Sequence, residues 1–277
     1  MAKRYQGVFG TGKVLIGVLH LEPLPGSPGY EGRLARVVTR AVGEARLVAR
    51  CGFDALIVEN YGDLPFLSGR AEAETVAAMA IVANEIKQAV KLPVGINVLR
   101  NDARAALAIT GVTGCEFVRV NILVGAFTTS EGLIQGEPGE VLRFRDRVAP
   151  EALIFADTMV KHASPLAPTT LAEDVLDVVE RGRADAVIVT GARTGRPPAG
   201  DDLETVRASL RAAGLAVPVF VGSGADPHNA EDFLSLSDGL IVGSYIRRGG
   251  RAGEPIDERR AARMGKIKQK FGHRRGA

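Results

Sequence analysis

The sequence predicts a single parallel (β/α)8 barrel, and three observations lead to that fold class. Short apolar runs alternate with helical segments eight times along the 277 residues. A chain of this length is typical of one such barrel. No GxGxxG sequence follows the first run, which weakens the main alternative, an open doubly wound sheet. We therefore expect one domain over residues 1–277, with the barrel core at about 13–271 and no linker.

The eight apolar runs have the length and composition of buried strands. Each is five or six residues long, and most are rich in β-branched residues. Near-continuous apolarity over that length suits strands covered on both faces, as in parallel sheets. The predicted strands are Val14–Leu19, Asp54–Glu59, Pro93–Val98, Cys115–Val120, Leu153–Asp157, Asp185–Thr190, Pro218–Gly222 and Asp238–Val242.

The segments between these strands carry helical patterns. Arg33–Cys51 is rich in Ala, Leu, Val and Arg, and Glu72–Val90 places its apolar residues along one stripe. Asp201–Ala213 and Asp257–Phe271 behave in the same way. The connection after the fourth strand, Asn121–Arg147, is long and carries four glycines, so it is a candidate lid over the barrel mouth.

Glycine and serine follow the last two predicted strands. The seventh strand runs into Gly222, Ser223 and Gly224, and the eighth runs into Gly243 and Ser244. Glycine lets the backbone approach a ligand, and we expect the helices that follow to aim their N-termini at the same place. In (β/α)8 barrels this is the recurrent phosphate site. The alternative is a pair of tight turns with no ligand, but two such turns on adjacent strands favour a bound phosphorylated small molecule.

Polar residues at the other strand ends are the candidates for chemistry, because catalytic groups of such barrels lie there. Glu22, Glu59 and Asp157 are candidate acid–base groups, and Lys161 is a candidate nucleophile or charge stabiliser. Arg119 suits an anion clamp. The predicted substrate-binding residues are His20, Asn97, Arg119, Asn121 and Thr190. A ring of paired ions that closes the barrel mouth is the alternative interpretation.

Composition limits the other classes. The two cysteines, Cys51 and Cys115, lie far apart and share no metal-type spacing with the four histidines. This predicts a reducing compartment, no metal site and no cofactor. No apolar stretch approaches the roughly 18 residues of a transmembrane helix, so we expect a cytoplasmic protein, with a homo-oligomer left open.

The basic charge is concentrated at the C-terminal end. Residues 247–277 carry 11 Lys and Arg against 3 acidic residues, whereas the rest of the chain carries 24 against 29. We interpret Asp257–Phe271 as the eighth barrel helix, with an apolar stripe and a solvated basic face. Attraction to an anionic partner, such as a lipid surface or an acidic protein, is the alternative. Nucleic acid is not expected, because few aromatic residues lie nearby for base stacking.

Three stretches resemble motifs of the BtpA family: Ile16–Pro28, Asp157–Pro165 and Val189–Gly195. The resemblance extends from about Lys13 to Arg248. It implies a (β/α)8 barrel related to phosphate-binding enzymes, in a family named for photosystem I biogenesis in cyanobacteria, and it attaches no reaction. Two functions therefore stay open. One is an isomerase, lyase or transferase acting on a phosphosugar or nucleotide-derived metabolite, and the other is a non-catalytic assembly factor.

Overall fold

The computed structural model describes residues 2–160, 162–191, 197–198 and 200–272. Its strands are β1 Val14–His20, β2 Ala55–Glu59, β3 Val94–Asn97, β4 Phe117–Val120, β5 Ala126–Thr129, β6 Gly132–Gln135, β7 Leu153–Thr158, β8 Ala163–Pro165, β9 Ala186–Val189, β10 Val219–Val221 and β11 Gly239–Val242. Its helices are α1 Ala2–Phe9, α2 Leu34–Arg50, α3 Ala73–Ala89, α4 Ala103–Thr113, α5 Pro138–Val148, α6 Leu171–Glu180, α7 Gly200–Ala212, α8 Ala230–Leu236 and α9 Glu258–Gln269.

Eight of these strands form a closed parallel barrel in the order β1-β2-β3-β4-β7-β9-β10-β11. The first and last strands close it, with Val14 opposite Gly239 and Gly17 opposite Val242. The predicted fold class is thus confirmed, and each predicted strand differs from the observed one by at most two residues at either end.

Alternating side chains along the strands divide the core into two layers. Outward-facing aliphatic residues pack against the helices in one large cluster. Inward-facing residues fill the barrel, and Phe117, Phe155 and Phe220 form its aromatic centre, with Phe155 about 5 Å from both other rings. Because this filling occupies the lower barrel, the polar inward residues collect at the strands' carboxyl ends.

Helix α1 closes the opposite end of the barrel, and the sequence reasoning did not predict it. Tyr5 and Phe9 pack on Phe155, at 6.2 and 5.7 Å between ring centroids. Burial raises the pKa of the Tyr5 hydroxyl. The signal that pointed to this helix was the spacing of Tyr5, Val8 and Phe9, which places three apolar side chains on one face.

The connection after β4 is a structured element. Strands β5 and β6 form an antiparallel hairpin, and β8 pairs with the other edge of β5. A small core of Ile122, Phe127, Ile134 and Val160 lies beneath it. The hairpin lies within the range identified as a candidate lid, and its motion stays a prediction.

Helix α9 packs as the eighth barrel helix, as predicted. Ala261, Met264 and Ile267 are buried, while basic residues cover much of the remaining surface. Lys268 is an exception, because its ammonium is buried and lies 2.7 Å from an Asp54 carboxylate oxygen. No helix in the described ranges has the length and apolarity needed to cross a membrane.

Candidate functional site

A cleft of about 180 Å³ opens at the carboxyl ends of β1, β2, β4, β10 and β11. His20, Glu59 and Arg119 line one side of it. The turns after β10 and β11 line the other side, and they contribute the five residues that the sequence analysis assigned to phosphate: Gly222, Ser223, Gly224, Gly243 and Ser244. The strand ends thus bring the predicted groups of both kinds to one place.

The turn after β10 has free donors and a backbone shape that requires glycine. Gly224 has a φ of +73°, in the left-handed region that side chains disfavour. The amides of Gly224, Ala225, Gly243 and Ser244 donate to no group within the described ranges. Such a set of unpaired N–H groups around a cleft suits an anion.

The turns do not lead directly into helices, and the aim of the helix N-termini at the cleft stays a prediction. Helix α8 begins at Ala230, and α9 begins only at Glu258. The positive charge at this end of the cleft comes instead from Arg260, a side chain on α9 that lines the cleft. Its guanidinium lies 4.4 Å from the Tyr245 ring centroid, and its Nε donates to the Tyr245 carbonyl at 2.5 Å. Among the described residues, Arg260 forms no ion pair with a carboxylate.

His20 and Glu59 form the titratable pair of the cleft. His20 Nε2 lies 3.5 Å from Glu59 Oε2, and both side chains are largely buried. His20 Nδ1 accepts a hydrogen bond from the Gly253 amide at 3.0 Å. Because Nδ1 accepts, the neutral ring carries its proton at Nε2, facing Glu59. Tyr61 stacks on the imidazole at 4.4 Å, and burial together with Glu59 raises the pKa of its hydroxyl.

Arg119 is held from behind by a buried network. Its Nε and Nη2 donate to the two carboxylate oxygens of Asp157, each at 2.9 Å, and both side chains are at most 3% exposed. Asn121 donates to Asp157 at 3.0 Å, and Asn97 donates to the Asn121 side chain at 3.1 Å. Burial by itself lowers the pKa of the Arg119 guanidinium, but Asp157 and Glu59 more than offset it and raise that pKa. Arg119 therefore stays cationic.

The network places Asp157, Asn97 and Asn121 behind the cleft wall, where Asp157 and Asn97 contact Arg119 and Asn121 contacts both of them. Thr190 is also buried there, and its hydroxyl has no hydrogen-bond partner among the described residues. A Cβ on Gly222 would lie 2.9 Å from the Thr190 methyl group, so the glycine keeps these strand ends close. Ser223 accepts from the Gly191 amide at 3.0 Å, which ties the turn after β10 to the segment that follows β9.

One of the predicted catalytic residues, Glu22, does not line this cleft. Glu22 lies outside it and pairs with two arginines of α2, Arg36 at 2.9 Å and Arg40 at 3.1 Å. Lys161 lies outside the described residues.

Sequence reasoning missed Tyr61, Tyr245 and Arg260. The signal for Tyr61 was its parity, since it lies two residues after Glu59 and so continues the same face of β2. Arg260 carried no such signal, because it is one of many basic residues on a helix that was interpreted as solvated.

The arrangement separates two kinds of chemistry along one cleft. One end offers amides that have no acceptor, and a guanidinium that has no carboxylate partner, among the described residues; both suit a dianion. The other end offers a carboxylate beside a neutral imidazole, which suits proton transfer, and a fixed guanidinium, which suits a developing oxyanion.

Comparison with known proteins agrees with this architecture. A sequence model of the BtpA family matches residues 11–270. An uncharacterized protein of Pyrococcus horikoshii is 44% identical over 255 residues, covering 92% of this chain and 95% of its own. The photosystem I biogenesis protein BtpA of Synechocystis sp. is 43% identical over 249 residues, which cover 90% of this chain and 85% of the Synechocystis protein.

Solved structures with the same fold are distant in sequence. Tryptophan synthase of Mycobacterium tuberculosis has a TM-score of 0.60 at 17% identity, with 96% of both chains covered. N-(5'-phosphoribosyl)anthranilate isomerase of Pyrococcus furiosus has a TM-score of 0.55 at 14% identity, with 93% of this chain and 99% of that chain covered. At these identities the likeness establishes the barrel fold alone.

Proposed function

The chain belongs to the BtpA family, and from that premise we propose that its cleft is an active site for a small phosphorylated carbonyl compound. One observation carries the proposal: free backbone amides with Arg260 and the Glu59–His20 pair with Arg119 line the same cleft. A binding site for phosphate alone needs only the amides and Arg260. A proton-transfer site for an uncharged substrate needs only the Glu59–His20 pair and Arg119.

The charges give the substrate an orientation. Arg260 has no carboxylate partner in the described ranges, whereas the charge of Arg119 is balanced by Asp157. The phosphate therefore binds toward Gly224, Gly243 and Arg260. The other end of the substrate then lies toward Glu59 and Arg119.

In the proposed reaction Glu59 removes a proton from the carbon next to the substrate carbonyl. The electron pair of that C–H bond moves into a C=C bond, and the carbonyl oxygen becomes an enolate oxygen near Arg119 and His20 Nε2–H. The carbon that lost its proton carries a hydroxyl group, and His20 Nε2 donates its proton to the enolate oxygen to give an enediol. His20 then takes up the proton of the neighbouring hydroxyl, whose O–H electron pair forms the new C=O bond. The C=C electron pair forms a new C–H bond at the former carbonyl carbon with the proton held by Glu59, and this completes an isomerisation. Well-placed acid–base groups contribute about 10²- to 10⁴-fold each to such steps.

The size of the cleft favours a phosphosugar over a nucleotide. At about 180 Å³ it is smaller than the roughly 300–1,000 Å³ of typical drug-sized sites. The name of the Pyrococcus furiosus neighbour, an isomerase of a phosphoribosyl compound, is in keeping with a phosphosugar-type ligand on this fold.

Two measurements test the proposal. Thermal unfolding with inorganic phosphate or ribose 5-phosphate tests binding, since a ligand at 100 times its Kd stabilises the folded state by about 2.7 kcal/mol. Gly224→Asp should abolish that gain, because it places a carboxylate beside the phosphate. Gly224→Asn, which has the same shape and backbone strain without the charge, should retain part of it.

Gly214→Asp controls for the backbone strain, since Gly214 has a φ of +69° and open space around it. This variant should respond to phosphate as the parent does. If Gly224→Asp also responds as the parent does, the phosphate site lies elsewhere.

Proton transfer is tested by incubating the protein with phosphorylated sugars in D₂O and following loss of the C–H signal by proton NMR. The parent should exchange that hydrogen, and Glu59→Gln should not. The absence of exchange with every phosphosugar, despite a clear phosphate response, would contradict the enzymatic proposal.

The second candidate function is a stability or assembly factor. It is favoured by one observation, the 43% identity to a protein named for photosystem I biogenesis. On that reading the cleft binds its ligand without turning it over. A phosphate response that survives Glu59→Gln, without hydrogen exchange in the parent, would favour this function.

A further inference from the structure

We infer that Arg40, on a helix outside the barrel, is a positioning residue that fixes the proton of His20. It acts through the backbone of Gly253, which touches both side chains. The inference rests on the proposed function for its catalytic meaning, because His20 matters to turnover only if the cleft is an active site. The geometry that carries it is independent of any substrate.

One amino acid, Gly253, bridges the two side chains. Its N–H donates to His20 Nδ1 at 3.0 Å, and its carbonyl oxygen accepts from Arg40 Nη2 at 2.9 Å. Gly253 has a φ of +84°, which only glycine adopts at little cost. The position of the amide at the imidazole therefore depends on where Arg40 holds the carbonyl.

Arg40 is itself fixed on several sides. Its Nη1 donates to Glu22 at 3.1 Å, and its Nε donates to Glu44 at 3.1 Å. Glu44 in turn lies 3.4 Å from the buried guanidinium of Arg247. Because a guanidinium is planar and rigid, two fixed edges determine the direction of the third.

The consequence for His20 is a choice of tautomer. With the amide at Nδ1, the proton resides on Nε2, 3.5 Å from the Glu59 carboxylate. The opposite tautomer would place the Gly253 N–H against an N–H and the lone pair of Nε2 against Glu59. The proposed reaction needs the proton on Nε2, where it can be donated into the cleft.

This also gives Glu22 a role different from the predicted catalytic one. It lies outside the cleft, and its Oε1 contacts both Arg36 and Arg40. Glu22 anchors the guanidinium that positions Gly253. Glu22 is thus a positioning residue that acts on His20 through Arg40 and Gly253.

Imidazole ¹⁵N NMR on the full chain labelled with ¹⁵N-histidine tests the inference directly. The chain has four histidines, and His20→Gln assigns the His20 signals by their loss. In the parent, Nε2 should appear protonated and Nδ1 unprotonated. In Arg40→Met the tautomer ratio should move about fivefold toward protonated Nδ1, the factor for one hydrogen bond of ordinary net strength.

Arg36→Met is the matched control. Arg36 lies on the same helix and contacts Glu22 at 2.9 Å, but it has no bond to Gly253. The His20 tautomer should stay as in the parent. Arg40→Met should remain folded, because Arg36 still pairs with Glu22 and Arg247 with Glu44. If it does not, Arg40→Lys is measured, which keeps the charge and loses the rigid fork, and the same direction of change is expected.

An unchanged His20 tautomer in the folded Arg40 variant overturns the inference. A change of equal size in Arg36→Met overturns it as well, since the effect would then be general to this helix. The readout uses no substrate, so its outcome is separate from that of the proposed function. If His20→Gln leaves hydrogen exchange into the substrate unchanged, His20 has no role in the proposed reaction, but the result on its tautomer is unaffected.

Discussion

Replacing Asp157 by Asn should destabilise the protein strongly, although it changes only one atom. The carboxylate is fully buried and accepts three hydrogen bonds, two from Arg119 and one from Asn121. In the variant, an amide nitrogen faces one of these donors, and the buried guanidinium loses its hydrogen-bonded counter-ion. Removing one partner of a buried ion pair costs about 3–5 kcal/mol. In a protein of this size that lowers the Tm by roughly 6–20 °C, at about 2–4 °C per kcal/mol.

Calorimetry or circular dichroism at neutral pH measures this change. Asp177→Asn is the control, because Asp177 pairs with Arg181 at 2.8 Å on the surface, where both side chains are more than half exposed. That variant should change stability by less than about 1 kcal/mol. Arg119→Met with Asp157→Leu, which removes both charges, should recover part of the loss. If Asp157→Asn melts within about 2 °C of the parent, Asp157 does not hold Arg119 in the way described.

Two further predictions follow from the buried titratable groups. Burial raises the pKa of the Asp174 carboxyl above its ordinary value of 3.8, so the contribution of this group to stability is full below about pH 4 and is lost as pH rises. Asp174→Asn still accepts from the Met159 amide and should therefore gain stability relative to the parent between about pH 4 and pH 7. A stability difference that does not depend on pH would contradict this prediction. Burial raises the pKa of the Cys115 thiol to about 11, and Cys51 is less buried. Iodoacetamide at about pH 8 should therefore label Cys51 at least tenfold faster than Cys115. Equal labelling rates for the two cysteines would contradict this prediction.

The sequence predicted the barrel because its eight strands are buried on both faces and therefore read as apolar runs. It also predicted eight of the described residues that line the cleft. Among them are polar residues at the carboxyl ends of those runs, which we expected to face the mouth. His20, Glu59 and Arg119 were found in this way, and the structure places all three on the cleft wall. Their position at the ends of apolar runs therefore identified these cleft residues.

The same reasoning could not rank the polar residues at the strand ends. Asp157 and Glu59 are both acidic residues at strand ends, yet Asp157 is neutralised by Arg119 and Glu59 faces the cleft. Which carboxylate pairs with the arginine depends on distances across the barrel, and spacing along the chain does not contain them. Glu22 illustrates a related limit, since the loop after β1 turns it toward the arginines of α2.

Long-range contacts from outside the strands were the other part that sequence could not supply. Gly253 lies in the connection between β11 and α9, and Arg260 lies in the first turn of α9. The buried Arg247 fixes the start of this connection, because it donates to the Val18 carbonyl at 2.8 Å. The path of the connection brings a cation to one end of the cleft and an amide to His20 at the other.

The charge pattern of the mouth distinguishes the enzymatic interpretation from a ring of paired ions that merely closes the barrel. A structural ring neutralises each charge, because an unpaired charge at a partly buried site costs free energy without return. Arg119 and Asp157 meet that description, and alone they would favour the structural alternative. Arg260 and Glu59 do not, because within the described ranges neither has an ion-pair partner of opposite permanent charge. A cation and an anion kept apart in one cleft are compatible with a ligand that carries negative charge at one end and a transferable proton at the other. The Asp157 and Glu59 variants should therefore differ in kind, with Asp157→Asn lowering stability and Glu59→Gln lowering turnover at nearly unchanged Tm.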